Sequence, residues 1–264
     1  MTISPSSWSG VRVTRKIAPA LVALVALIAT WQIYVSVSGI RPQVLPSPGR
    51  VLTQGWAHRD AIATNASATL QVTLIGFAVS LTVAWALAIV VDFSPWLRRA
   101  LVPLFVASQT LPIIAIAPLM IIWFGFGLLP KILVISLTTF FPMAIGLIEG
   151  FAAADREAGA LLRSMGASRW TEFRYVRLPS AMPRFFTALR IGITYAVVGA
   201  VFAEYVGASA GLGIYMAQQK NSFRTDLVLA AVLVTSLIST ALFLLTFVVE
   251  RLVAPWIATE RRQA

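Results

Sequence analysis

Few residues in this chain could do covalent chemistry. It has no cysteine and a single histidine, His58, which excludes a disulfide framework, thiol chemistry and a His-rich metal site. No Gly-x-x-x-x-Gly-Lys-Ser/Thr run is present to cradle a phosphate, and no His-Glu-x-x-His to hold zinc. No paired-carboxylate site or nucleophile–base set is evident either. Catalytic, cofactor-binding and metal-ligating residues are therefore expected to be absent. Any energy the protein uses must come from an ion gradient or from a separate ATP-hydrolysing subunit.

Two other kinds of candidate remain. One is polar groups inside apolar runs: Glu204, and Gln109-Thr110 just before Pro112. An acid within a membrane-length run is costly and usually faces protein or a water-filled cavity, which makes Glu204 a candidate for a solute pathway. Close to the outer end of its run, it could equally reach interfacial water. Gln109 and Thr110 read either as pathway groups or as interhelical hydrogen-bonding groups beside a proline kink.

The other candidate is the one long polar interruption, residues 151–184. It carries Arg156, Arg163, Arg169, Arg174, Arg177 and Arg184 among the acids Asp155, Glu157 and Glu172. Leu161, Leu162 and Met165 fall at helical spacing and predict a short amphipathic helix. Gly166 interrupts it, Ser168 is a natural N-cap for a second short helix, and Pro179 is expected to stop that helix. Such a helix–turn–helix is shaped to dock into a groove on a soluble partner. The alternative is an ordinary loop whose arginines touch lipid headgroups.

The elements that must position these residues are membrane spans. Hydrophobic residues make up 58% of the chain and charged residues 12%, with a mean hydropathy of +0.84. A soluble domain carries roughly 25% charged residues, so this composition excludes one. Apolar runs long enough to cross a bilayer as helix lie at about 17–37, 68–91, 101–123, 129–148, 185–206 and 227–249. The expected fold is an all-α polytopic membrane protein with six transmembrane helices. Residues 1–16 form an N-terminal segment, 17–250 the membrane domain and 251–264 a tail. The first run is longer than the apolar region of a signal peptide and reads as an uncleaved span, the alternative being cleavage near Ser38.

Leu45-Pro46-Ser47-Pro48-Gly49, in the polar connection 39–66, reads as a rigid extended or turning segment. A net charge of +11 could suggest nucleic acid, but the charge sits in loops between spans. Six spans place fifteen Lys and Arg on the side of the termini and the 151–184 loop, against six on the other. By the positive-inside rule the termini and that loop are cytoplasmic.

The stretch 157–179 resembles the cytoplasmic coupling loop of binding-protein-dependent ABC importer permeases. Gly166-Ala167-Ser168-Arg169 and Leu178-Pro179 keep that loop's residues and spacing. Ala160-Leu161-Leu162 stands where the pattern has Glu-Ala-Ala, and Glu157-Ala158 lies one helical turn earlier. Leu-Pro-Ser-Pro at 45–48 fits the same family. So do Ile116-Ala117-Pro118-Leu119, Trp123 to Gly127, Phe140-Phe141-Pro142, Ala203-Glu204 and Gly211-Leu212-Gly213, which resemble the subfamily moving nitrate, sulfonates, taurine and thiamine-precursor pyrimidines. Gly125 to Lys131 looks most like the pyrimidine-precursor permeases.

The resemblance implies a type I importer half-transporter with no enzymatic activity of its own. Two copies, as a homodimer or with a related chain, would enclose the pathway in a bacterial inner membrane, in contact with lipid and not nucleic acid. Two ATPase subunits would bind ATP and Mg and grip the coupling loops, and an external solute-binding protein would deliver cargo. Glu157, Ala158, Leu161, Leu162, Met165, Gly166, Ala167, Ser168, Arg169, Leu178 and Pro179 would then transmit force, while Gln109, Thr110 and Glu204 would be the pathway candidates. The alternative is a stand-alone, ion-coupled secondary transporter. That would need ionisable groups near mid-membrane, and this chain offers only the off-centre Glu204. A membrane enzyme or scaffold would leave the 151–184 loop unexplained.

Overall fold

The computed structural model describes residues 8–257, with side chains from Ala18 onward except Ile113 and Ile114. The N-terminal residues 1–7 and the tail arginines Arg261 and Arg262 lie outside the described residues. The described chain is helical: α1 Trp8–Ser38, α2 Pro48–Ala57, α3 Arg59–Phe93, α4 Pro95–Ser108, α5 Ile113–Phe124, α6 Leu128–Ala152, α7 Arg156–Ser164, α8 Arg169–Glu172, α9 Leu178–Gly207, α10 Leu212–Asn221 and α11 Thr225–Val253. Five of these helices, counting 169–207 as one, are long and apolar enough to cross a membrane. Helix is what an apolar chain must form in hydrocarbon, because it pairs each N–H and C=O within the segment.

The exception is the third expected span. Residues 101–123 are not one helix but α4 and α5, separated at Gln109–Pro112. Pro112 has no N–H to give the Ser108 carbonyl, and its ring disfavours helical backbone at Leu111. The break tightens into three-residue turns, with Gln109 N–H on Val106 O (3.3 Å) and Thr110 N–H on Ala107 O (3.1 Å).

The chain forms two compact units. One comprises residues up to Arg59 with Gln219–Ala230, the other Asp60–Gln218 with the residues from Ala231 onward. In the larger unit α6 and α9 make the most extensive pairing. Small residues let them approach: a Cβ on Gly150 would sit 2.9 Å from Ala181 Cα. Around this seam Met143, Leu147, Phe151, Ala181, Phe186 and Leu189 are buried. Hydroxyls tie α3 to α6, with Thr139 Oγ1 on Ser80 Oγ (2.7 Å) and Ser136 Oγ on Gly76 O (3.1 Å). The start of the expected tail is packed too, Ala254 and Ile257 being buried in the same core.

In the smaller unit the Leu45–Gly49 segment does turn, but into a helix. Ser47 caps α2 by accepting from Arg50 N–H (3.3 Å), and Pro48 opens it, where a missing N–H costs nothing. Asp226, at the start of α11, accepts from Arg50 Nε (3.1 Å) and Arg224 Nε (3.1 Å). Arg224 Nη2 also donates to Gln54 Oε1 (2.8 Å).

Candidate functional site: a braced helix on the polar loop

The expected helix–turn–helix is present. Asp155 caps α7, its Oδ1 accepting from Glu157 N–H (2.8 Å) and Ala158 N–H (3.4 Å). α7 ends in a two-bond terminator: Ala167 N–H donates to Leu162 O (3.0 Å) and Gly166 N–H to Arg163 O (3.0 Å). That closure requires left-handed backbone at Gly166, whose φ is +83°. A Cβ there would meet nothing within 4 Å, so the glycine answers to backbone angle and not to space. Ser168 Oγ then accepts from Thr171 N–H (3.2 Å) and caps α8.

Pro179 does not stop the second helix. The backbone stays helical from Arg169 to Gly207, passing through a wide π turn at Phe173–Arg177 with Leu178 and Pro179 opening α9. The wider turn shifts the hydrogen-bond register just where the proline withholds its N–H. Ser180 Oγ takes up the Val176 carbonyl (2.7 Å).

The loop is fixed by a chain of charges that no local spacing announces. Glu172 is only 7% exposed and accepts from Arg163 Nη1 (2.7 Å) and Arg177 Nε (3.4 Å). Arg177 Nη1 reaches both oxygens of Asp92 (2.8 Å each), at the end of α3. Gly159 makes room, since a Cβ there would come 3.0 Å from Glu172 Oε1. The polar loop precedes the apolar part of this helix. There burial pushes the Glu172 carboxyl up, but the bonds and charges of Arg163 and Arg177 outweigh it, leaving it below the ordinary carboxylate range. Beside the charges, Trp170 stacks on Phe173 (5.4 Å between centroids), and Phe173 meets Phe93 and Phe151.

With its base so held, α7 presents apolar side chains outward: Leu161 is 63% and Met165 75% exposed, and Leu162 is half-buried. Glu157 and Arg169 are exposed, while Ala158, Ala167, Leu178 and Pro179 are half-buried. Ala160 is exposed on the same helix, one turn beyond Glu157.

The three pathway candidates separate. Gln109 is exposed at the α4–α5 break and lines a cleft of about 640 Å³ with Pro142, Glu149, Arg184 and Thr187. Thr110, also exposed, turns its hydroxyl back to Ala107 O (2.7 Å). Glu204 is fully buried and so does not reach interfacial water. Its Oε2 accepts from Thr69 Oγ1 (2.9 Å) and Gly213 N–H (2.9 Å), while Thr69 Oγ1 accepts from Leu212 N–H (2.8 Å). Gly211, with φ +130°, lies where any Cβ would overlap the Glu204 carboxylate. Asn65 Oδ1 holds the Gly211 N–H (2.9 Å). Glu204 thus fastens the small-residue loop 208–213 to α3, a positioning role. Neither its partner Thr69 nor Asn65, which holds the same loop, was singled out by sequence reasoning. The available signal was their four-residue spacing, which puts both on one face at the start of α3.

Fold and site together define an all-helical protein of membrane-length helices with a braced, outward-facing helix on its long polar loop. The chain belongs to the binding-protein-dependent transport system inner membrane components, whose family model matches residues 68–259. It is 37% identical over 246 residues to the riboflavin transport system permease protein RibX of Chloroflexus aurantiacus, covering 91% of this chain and 92% of that one. It is 33% identical over 231 residues to the formylaminopyrimidine transport permease protein ThiX of Halalkalibacterium halodurans, covering 87% and 92%. With the taurine transport system permease protein TauC of Escherichia coli it shares 32% over 258 residues, covering 92% and 91%. In fold it is similar to a chain of the MetNI methionine ABC transporter in an inward-facing conformation (TM-score 0.52, 23% identity, 74% of this chain and 96% of that one).

Proposed function

We propose that this chain, as a homodimer, forms the translocation pathway of an ATP-driven importer and that α7 is the surface its ATPase subunits grip. One observation carries the reading: α7 exposes Leu161 and Met165 while a buried ion network holds its base. A loop that merely rested on headgroups would need no such bracing. The excess of cations on the side of the 151–184 loop supports cytoplasmic termini, and a solute-binding protein then docks on the opposite face. A gradient-driven carrier is not favoured: it would need ionisable groups near mid-membrane, whereas Glu204 lies towards the end of its span and holds the 208–213 loop through Thr69 and Gly213.

The cargo is a small polar solute. Likeness to permeases named for riboflavin and formylaminopyrimidine supports a nitrogen heterocycle, with the thiamine-precursor pyrimidine ahead of taurine, sulfonate or nitrate. The test is co-purification of the ATPase with the wild type and with a Leu161→Asp, Met165→Asp double variant, both in lipid discs. Loss of the ATPase from an otherwise folded permease supports the reading; retention with full ATP-driven uptake overturns it. Stimulation of hydrolysis by the binding protein loaded with each solute in turn identifies the cargo.

A further inference from the structure

We propose that Phe223, at the tip between α10 and α11, is the anchor by which the solute-binding protein docks on this permease, seating in an apolar pocket rimmed by acidic side chains. The proposal rests on the reading that this turn lies outside the membrane. α10 ends with the same two-bond terminator as α7: Arg224 N–H donates to Gln219 O (2.9 Å) and Phe223 N–H to Lys220 O (3.0 Å). The left-handed position is filled not by glycine but by Phe223, with φ +54°, the sole non-glycine residue with positive φ among the described residues. Left-handed backbone penalises any side chain, and a bulky aromatic there is an outlier. Packing does not explain it, because Phe223 is 72% exposed. An exposed phenylalanine held in unfavourable backbone is a side chain placed for something outside the chain.

The occupant follows from the surroundings. Phe223 shares a hollow of about 160 Å³ with Pro42, Gln43, Arg50, Arg224 and Asp226. The Asp226 carboxylate is 3% exposed and already bridges both arginines, whose side chains remain 46% and 36% exposed. The tip therefore offers an apolar knob beside outward positive charge, and its complement is an apolar pocket with carboxylates at the rim. A fluid headgroup layer accepts a phenylalanine at any angle and would not require a strained backbone. A folded partner with a fixed pocket does.

The experiment measures the affinity of the system's own solute-binding protein, as purified, for the full permease–ATPase complex in lipid discs. Phe223→Gly and Phe223→Asn, both residues that suit left-handed backbone, should lower affinity tenfold or more while leaving the unfolding temperature unchanged or raised. Phe223→Tyr should retain most of the affinity, and raising salt should weaken wild-type binding. An affinity within twofold of wild type for both Phe223→Gly and Phe223→Asn overturns the proposal. So does a Phe223→Gly effect confined to partition of the tip into lipid. Because the chain lacks cysteine, Phe223→Cys gives it a single thiol for an impermeant maleimide. Labelling from the cytoplasmic side alone overturns the orientation on which the proposal stands. Labelling from outside with unchanged affinity overturns the docking claim and leaves the orientation intact.

Discussion

The turn after α7 and the turn after α10 share a hydrogen-bond pattern and differ at the residue that pattern strains. Each lies beside a buried acid bracketed by two arginines: Glu172 with Arg163 and Arg177 at the first, Asp226 with Arg50 and Arg224 at the second. At the first, glycine takes the left-handed position and the apolar contacts project from the helix before it, at Leu161 and Met165. At the second, the strained position itself bears the apolar group, Phe223. The difference teaches how to separate shape from contact. Where the strained residue is glycine, the turn serves geometry and the recognition lies elsewhere. Where it is phenylalanine, the turn and the recognition share one residue.

Substitutions at matched positions can break this comparison. The largest effect is expected from Glu172→Ala. Stripping one partner from a buried ion pair costs about 3–5 kcal/mol, with the lower end expected here because Arg163 is half exposed. Thermal unfolding of the permease should show it, together with loss of ATP-driven uptake. Asp226→Ala should cost about as much, again near 3 kcal/mol, since its arginines are as exposed (46% and 36%) as those of Glu172 (53% and 35%). Markedly unequal costs would mean that the two acids are not equivalent braces. Gly166→Val comes next: forcing a β-branched side chain into left-handed backbone costs about 1–2 kcal/mol and should reduce uptake more than it reduces expression. Phe223→Gly should act in the opposite direction, with a gain of up to about 1 kcal/mol once the added freedom of the unfolded chain is subtracted. A loss of stability there would show that Phe223 supports the fold.

The smallest expected effect is on pH dependence. Glu172 titrates below its ordinary value of 4.5 in the folded protein, so the stability it adds is fully present above 4.5 and is lost as pH falls through the depressed value. Glu172→Gln should lower stability near neutrality and flatten the acid limb of the unfolding profile, the two proteins converging as pH falls below the depressed value.

Much of this was legible from local pattern. Leu161, Leu162 and Met165 announced α7, and Gly166 and Ser168 marked its end and the next start, because caps and periodicity act within a few residues. Apolar length gave most of the spans. What escaped depends on partners distant in sequence or on competing local effects. Asp92 and Arg177 are 85 positions apart, and nothing in either neighbourhood names the other. Glu204 looked like a lone acid in a span because Thr69 and the Gly213 N–H meet it only after folding. Pro179 looked like a stop because the π turn that accommodates it has no sequence signature. Three prolines in 101–123 suggested a kinked span, yet Pro112 divides it outright.

The Arg177–Asp92 bond carries one mechanical consequence. Without it, the packing of Trp170 and Phe173 on Phe93 would be left to hold the base of α7 to α3, and a push on the helix could be spent in swivelling there. The second attachment, to the end of α3, makes the mount two-pointed. A lever held at two points cannot pivot freely about either, so a displacement imposed on α7 must turn α3 and α9 together, as a torque rather than a shove.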